Sequence, residues 1–493
     1  MERTVKQSFL GTLVSYFGIV MGMLNRIVLF PLVFVGSEAD LWGLIELFIV
    51  YATVISSVSN LGRSKVIQRY LPGFKGDTKS LLAFAWRGTL LGTVVTFTTL
   101  LLLKNQVAAL ADDPGLFSEY YWVFLLILLG MTFFEWSSGI LISKFRTHIP
   151  MVFNQFILRL YTLIALLLKW LDILTAVELL YVIAIGYVVV FGVMFFYAKK
   201  TEPRMTSLKV ENLPDKKKIN DFGLFSMVNG SSFFLFQHID AMVMGGFSLV
   251  NVAFLTVAKS IANVFFLPGR SLIQSLSPVV SKAFQEEDFE KLERVYKKSS
   301  GAQLFVGGFI FLFIWANLDV ILLPIDKFAG GESDLKWVVF LLGVGRLVFM
   351  STGVSSLVLS RSKYYRFAFV ANVSLIGVSV AAMLILIPMY GILGAAIAQG
   401  GVMVLNSVIR IVFIRRKLDL SPYTASLLPT ALIITTVLAA LAPSWFDSLW
   451  LSFFGKNALA LVALFVCYRF FPPIDDLSNL VGKVTNRFKK KIK

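Results

Sequence analysis

The chain alternates long apolar runs with short polar segments. The runs are about 20 residues long, enough to cross roughly 30 Å of hydrocarbon as helices. They fall at about 8–35, 41–61, 81–103, 119–142, 150–168 and 176–198, then at about 222–247, 250–268, 300–323, 335–359, 367–388, 391–414, 424–442 and 456–471. The pattern predicts about fourteen transmembrane helices and an all-α polytopic membrane protein. Ten-residue alternating blocks, the mark of a membrane barrel, are absent. The first run follows only two basic residues in MERTVKQSFLGTLVSYF, and no small-residue cleavage site follows it. It is expected to be a retained span.

One polar segment interrupts the series. Lys199 to Asp221 reads KKTEPRMTSLKVENLPDKKKIND, with seven Lys or Arg. It reads as a cytoplasmic linker between halves at 1–198 and 222–417, with a further helix pair and basic tail at 418–493. Ser281–Lys298 places Phe289, Leu292 and Val295 or Tyr296 at helical spacing among charges, which predicts a short amphipathic helix on the cytoplasmic surface.

The halves share a short repeat. Leu61–Pro72 is LGRSKVIQRYLP and Pro268–Val279 is PGRSLIQSLSPV. Each follows the second span of its half. A separation of about 207 residues fits six spans per half and a parallel repeat about an axis along the membrane normal.

Composition agrees with a membrane chain. Only 15% of the 493 residues are charged and mean hydropathy is +0.78. The net charge of +17 would suggest nucleic acid in a soluble protein. Here it concentrates in loops and matches the positive-inside rule and anionic lipid, so no nucleic-acid partner is expected. With the N-terminus inside, about 34 of the 46 Lys and Arg are cytoplasmic and about three external. The cytoplasmic set includes Arg63, Lys65 and Arg69; Lys144 and Arg146; Arg361, Lys363 and Arg366; Arg415, Arg416 and Lys417; and the tail RFKKKIK. Both termini are therefore expected in the cytoplasm. One cysteine and two histidines leave little for disulfides or zinc.

Three stretches carry a family resemblance: NLGRSKVIQRYLPGFKGD after span two, VAKSIANVFFLPGRSLIQSLSPVVSKAF around span eight, and YGILGAAIAQG opening span twelve. Their order and spacing resemble the polysaccharide-transporter (Wzx-like oligosaccharide flippase) branch of the multidrug/oligosaccharidyl-lipid/polysaccharide (MOP) exporter superfamily. The resemblance implies a MATE-like pair of six-helix lobes plus an extra pair. It also implies transfer of a lipid-diphosphate-linked glycan across the bacterial inner membrane for surface polysaccharide. Membrane lipids, a polysaccharide polymerase and glycosyltransferases are the associated partners.

Ionisable residues inside the spans carry the chemistry, because each costs about 2.5–3.5 kcal/mol at mid-span on insertion scales. Those well inside are Arg26, Glu135, Arg159, Asp240, Lys259 and Arg346. Glu46, Arg87, Asp319 and Arg410 lie near span ends, where snorkelling accounts for them. Matching depths predict the pairs Glu135–Arg159 and Asp240–Lys259. Arg26 and Arg346 are then left without an obvious acid, roughly 12–16 Å from the outer side.

Facing a shared cavity, these arginines could grip phosphate oxygens two at a time. Lys259 and Arg159 add to that basic set, and Asn25, Gln237 and His238 are candidate hydrogen-bonding neighbours for sugar hydroxyls. Four buried bases against two acids suit an anionic cargo better than a cationic drug. A MATE-type multidrug/cation antiporter is the first alternative, a membrane glycosyltransferase the second and a lipid II flippase the third. No Walker A, GxSxG or HExxH motif is present, so no enzymatic role and no cofactor are expected. Coupling would fall to H⁺ or Na⁺, with Asp240 and Glu135 as candidate carriers.

Overall fold

The computed structural model describes residues 17–34, 36–74, 77–210, 213, 215–328, 334–423, 427–441 and 449–470. The start of the first predicted span and the tail RFKKKIK lie outside the described residues. Among the described residues every regular element is helical. We label the main helices α1 Phe17–Val33, α2 Ala39–Ser59, α3 Arg63–Tyr70, α4 Thr78–Leu102, α5 Tyr121–Ser143, α6 His148–Trp170, α7 Ala176–Thr201 and α8 Lys216–Met244. There follow α9 Leu249–Gln285, α10 Phe289–Ala316, α11 Leu335–Met350, α12 Ser355–Arg361, α13 Tyr365–Leu418, α14 Leu427–Leu441 and α15 Leu449–Phe470.

Nine helices among the described residues are long and apolar enough to cross a membrane, or ten if the bent pair α11–α12 is one span. The protein is therefore a multi-pass membrane protein. The sequence expectation of about fourteen spans is higher for identifiable reasons. Helix α13 runs through two predicted spans and is broken at Gly391, whose φ of 55° and ψ of −133° suit a residue without a Cβ. The predicted spans at about 8–35, 222–247 and 424–442 fall outside that count because their described apolar stretches are Phe17–Val33, Phe234–Met244 within α8, and Leu427–Leu441, and each borders residues or side chains outside the described set. Among the described residues, each predicted span nevertheless overlaps a helix.

The apolar surfaces turned away from the protein form helical stripes. Val189, Val193 and Phe196 are exposed at i, i+4 and i+7 of α7, and Leu91, Val94, Val95 and Leu102 are exposed on α4. In water such surfaces would be unstable; against lipid tails they cost nothing. Polar caps close the helix ends instead. Asp77 accepts from the N–H groups of Lys79 and Ser80 at 3.0 Å each, and Thr175 and Glu178 form a reciprocal capping box on α7.

Two local expectations are corrected. The stretch Ser281–Lys298 is not a separate surface helix: α9 runs on to Gln285, the chain turns at Glu287 with φ 54°, and Asp288 caps α10. The apolar spacing does mark buried positions, since Leu292 and Tyr296 are fully buried, but they anchor a long helix to Val358, Leu359 and Ile414. The repeat LGRS/PGRS also diverges locally. Leu61 and Gly62 form a positive-φ turn before α3, whereas Pro268–Val279 continues inside α9.

Contacts divide the chain into two compact units. The first is Met1–Val257 with Pro324–Ser333 and Ile376–Ala395; the second is Ala258–Leu323 with Asp334–Leu375 and Ala396–Lys493. In the first, α5 packs along α7 and α2, and α8 packs on α2. Val66, Ile67, Leu82, Trp136, Ile140 and Met194 are among its buried residues. In the second, α10 packs against α11, α14 and α15. The C-terminal pair is tied in by polar groups. The Trp315 indole donates to the Leu438 carbonyl at 3.2 Å, Asn317 and Asn457 exchange amide hydrogen bonds, and buried Lys456 lies 3.5 Å from Asp319.

Backbone contact limits what α2 can carry. A Cβ at Gly43 would fall 1.8 Å from the Leu249 carbonyl oxygen, while one at Gly401 would meet nothing within 4 Å. Gly43→Ala should cost roughly 1–3 kcal/mol of stability through overpacking. Gly401→Ala should be neutral or gain up to about 1 kcal/mol from helix propensity. Thermal unfolding of the detergent-solubilised variants checks this; equal melting temperatures would count against the contact.

Candidate functional site

The polar centre of the first unit is built on α1. Residues Leu24–Leu29 of that helix form a π-helical turn, and Arg26 and Asn25 sit on it. Such widened turns release backbone groups and re-aim side chains, and they concentrate at functional sites. A second π-helical turn, Val152–Ile157, lies in α6. The two helices meet closely, because a Cβ at Gly18 would land on the carbonyl of Gln155.

Arg26 grips Glu46 of α2 with both prongs of its fork. Nε donates to Oε1 at 2.9 Å and Nη2 to Oε2 at 2.8 Å. The Glu46 side chain is 2% exposed and that of Arg26 34%. Charge-assisted bidentate pairs of this kind are the stronger hydrogen bonds, and burial raises the cost of breaking them. Two expectations are thereby corrected. Arg26 does have an acid, and Glu46 does not snorkel at a span end. A sequence signal for the pair exists: Arg26 lies seven residues before the end of α1 and Glu46 seven after the start of α2. That places both roughly 10 Å from the connecting turn.

Arg159 of α6 joins this cluster. Its Nη1 donates to the Gly18 carbonyl, its backbone carbonyl accepts from Asn25 Nδ2 at 3.0 Å, and its guanidinium fills the space beside Gly22. It is near enough to Arg26 for the two cations to repel. Buried Tyr187 of α7 feels the charges of Glu46, Arg26 and Arg159. Asn25 is 3% exposed, and its Oδ1 is buried without a hydrogen-bond donor among the described residues. The cluster thus holds two guanidinium groups and one carboxylate.

The predicted Glu135–Arg159 pair does not form. Arg159 turns to α1. Depth matches, but direction around the helix does not, and depth alone cannot report direction. Gln237 and His238 are half-buried on α8, and Asp240 on the same helix is fully buried, with Oδ1 accepting from the Ala241 N–H at 2.9 Å. In the second unit, Arg346 is 7% exposed and its Nη1 donates to the Lys259 carbonyl at 3.2 Å.

Three further charged residues sit in surroundings that the sequence does not announce. Arg410, expected to snorkel at a span end, is buried. It donates from Nε to Asn406 Oδ1 at 2.8 Å and from Nη2 to Asn372 Oδ1 at 3.1 Å, and lies over the Phe349 ring. Asp319 is held at 2.6 Å by Lys336 as well as by Lys456. Arg63, expected in a loop, is 6% exposed, donates to Asn220 Oδ1 at 2.7 Å, and stacks over Phe84. Burial pushes its guanidinium below its ordinary pKa.

Comparisons with known proteins bear on the architecture. A family model described as MatE matches residues 226–327. Among solved structures, the chain is similar to a lipid II flippase MurJ in its inward closed conformation, at 15% identity and a TM-score of 0.70, over 95% of this chain and 99% of that one. It is also similar to a multidrug resistance MATE family transporter of the MOP superfamily in an inward-facing conformation, at 15% identity and a TM-score of 0.63, over 83% and 94%. The chain therefore has a MurJ- and MATE-like fold. No curated protein is matched by sequence. The likeness agrees with the all-helical class read from the spans and with the MATE-like fold that the sequence resemblance implies.

The Arg26–Glu46 pair makes an energetic prediction. Arg26→Met alone leaves a buried carboxylate and should cost roughly 3–5 kcal/mol, whereas Arg26→Met with Glu46→Leu should recover most of it. A double-mutant cycle on thermal or denaturant unfolding measures the coupling; additive single effects would show that the pair is not coupled.

Proposed function

We propose that the chain is a flippase that carries a lipid-diphosphate-linked oligosaccharide across the bacterial inner membrane by alternating access, for O-antigen, capsule or exopolysaccharide synthesis. The observation that carries this reading is the excess of guanidinium over carboxylate in the membrane-embedded cluster of the first unit. Guanidinium forks bind phosphate oxygens in pairs. A cation transporter would be expected to invert that balance. Arg26 and Arg159, with Asn25, are assigned to the diphosphate and the first sugar. Lys259 and Arg346 are assigned to it from the second half, and Gln237 and His238 to sugar hydroxyls. The lipid tail stays in the bilayer.

In this reading the halves 1–198 and 222–417 rock, the 418–493 segment supports the second half, and both termini are cytoplasmic. The chain performs no covalent chemistry and needs no cofactor. An H⁺ or Na⁺ gradient, acting at Asp240 or Glu135, resets the cycle. Glycosyltransferases supply the cargo and a polymerase consumes it.

A second reading, a lipid II flippase, is favoured by one observation. The similarity to MurJ extends over 95% of this chain, against 83% for the MATE transporter, so it takes in more of the chain. Lipid II is also a lipid diphosphate, and the same basic cluster would serve it.

Expression in a strain lacking its own polysaccharide flippase tests the primary reading. The unmodified chain should restore surface polysaccharide, and Arg26→Ala or Arg346→Ala should lower it by at least about tenfold at equal membrane abundance. Normal export with both replaced would remove these arginines from the site. Rescue of lipid II flippase depletion without rescue of polysaccharide would select the second reading. Drug resistance with unchanged glycans would point to an antiporter.

A further inference from the structure

The fork of Arg26 is already occupied. Glu46 takes both Nε and Nη2, the edge a pair of phosphate oxygens would use. We propose that Glu46 is an internal stand-in for the anionic headgroup, holding Arg26 in the cargo-free protein and yielding the fork when a diphosphate arrives. This rests on the diphosphate reading above and assigns a role that the cargo chemistry alone does not require.

Three observations support exchange over a fixed strut. The first is position: Arg26 sits on a π-helical turn, where the backbone is less regular than in the α-helix around it. The second is asymmetry of exposure. Glu46 is enclosed, but the Arg26 side chain is 34% exposed, so an incoming anion can reach the cation without first opening the carboxylate's surroundings. The third is an unmet acceptor. Asn25 Oδ1 is buried beside Arg26 without a donor among the described residues, a cost of about 1–3 kcal/mol that a fixed arrangement would be expected to avoid.

Exchange is also electrostatically balanced. With Glu46 in place the two arginines of the cluster face one negative charge; a diphosphate brings more. The Arg159 guanidinium, near that of Arg26, is the second cation available to it. Arg26 is thereby never left without an anion, because the diphosphate replaces the carboxylate it displaces. Such an internal competitor weakens binding but keeps an empty transporter from holding a bare cation in the membrane. It also raises specificity, because a weakly charged lipid cannot displace a bidentate carboxylate.

Glu46→Gln is the decisive variant, since an amide fills the same space and still accepts a hydrogen bond. In lipid nanodiscs it should bind a polyprenyl diphosphate about tenfold or more tighter than the unmodified chain. Arg26→Gln with Glu46→Gln should lose that gain. Glu46→Asp, which keeps the charge but shortens the reach, should fall between and provides a second folded comparison. If Glu46→Gln elutes and melts as a folded protein yet binds the lipid no tighter than the unmodified chain, Glu46 is a strut and the exchange idea fails, while the diphosphate reading survives. If no variant binds the lipid but Glu46→Gln alone binds inorganic pyrophosphate, the exchange stands and the lipid cargo falls. If neither probe binds any variant, both fall.

Discussion

A charge inside a bilayer protein must be met from within. Water is scarce there, so each buried cation needs either a carboxylate or well-aimed dipoles. The bidentate contact between Arg26 and Glu46 is the clearest answer to that demand in the first unit, and much of the local architecture depends on it. It brings α1 against α2, the second helix of the chain. The α1 helix then meets α6 without side chains at Gly18 and Gly22, which lets the Arg159 guanidinium reach the Gly18 carbonyl.

The other buried arginines use a different solution. Arg410 is met by two amide oxygens and an aromatic face, and Arg63 by one amide oxygen and the Phe84 ring. Amides orient a guanidinium without neutralising it, so these sites keep a positive field. That suits positions where helix ends meet, as at Arg63, which ties α3 to α8 through Asn220. Neutral and ionic solutions thus have separate uses. Amides serve where geometry is to be fixed, and a carboxylate serves where charge is to be balanced.

Much of the fold is legible in the sequence. Hydrophobic run length reports whether a segment can span a bilayer, and among the described residues a helix forms at each place so marked. The break in α13 is legible too: the sequence pattern separates 367–388 from 391–414, and Pro388 and Gly391 stand where that helix kinks. The site is half legible. Intramembrane polar residues identify Arg26, Arg159 and Asn25, which the structure brings together, and the Arg346 side chain, which meets the Lys259 backbone carbonyl. Their partners are not legible, because depth is the only coordinate that a linear pattern supplies. Glu135 and Arg159 agree in depth and face different neighbours, while Glu46 has the sequence position of a terminal residue although it is 1% exposed. Azimuth around each helix is decided by packing, which no single sequence displays.

The widened turn at Leu24–Leu29 has one more effect on α1. A π turn takes in about one residue more than an α turn, so the part of the helix before it is rotated by roughly 100° relative to the part after it. On a regular helix Gly18 and Phe30, twelve residues apart, would stand about 120° apart; the widened turn brings them to within roughly 20°. The line of α1 that meets α6 at Gly18 and the one that stacks on Trp42 of α2 at Phe30 therefore fall on nearly the same side. The extra residue acts as a shim, letting one edge of a single rod lie against two walls in turn.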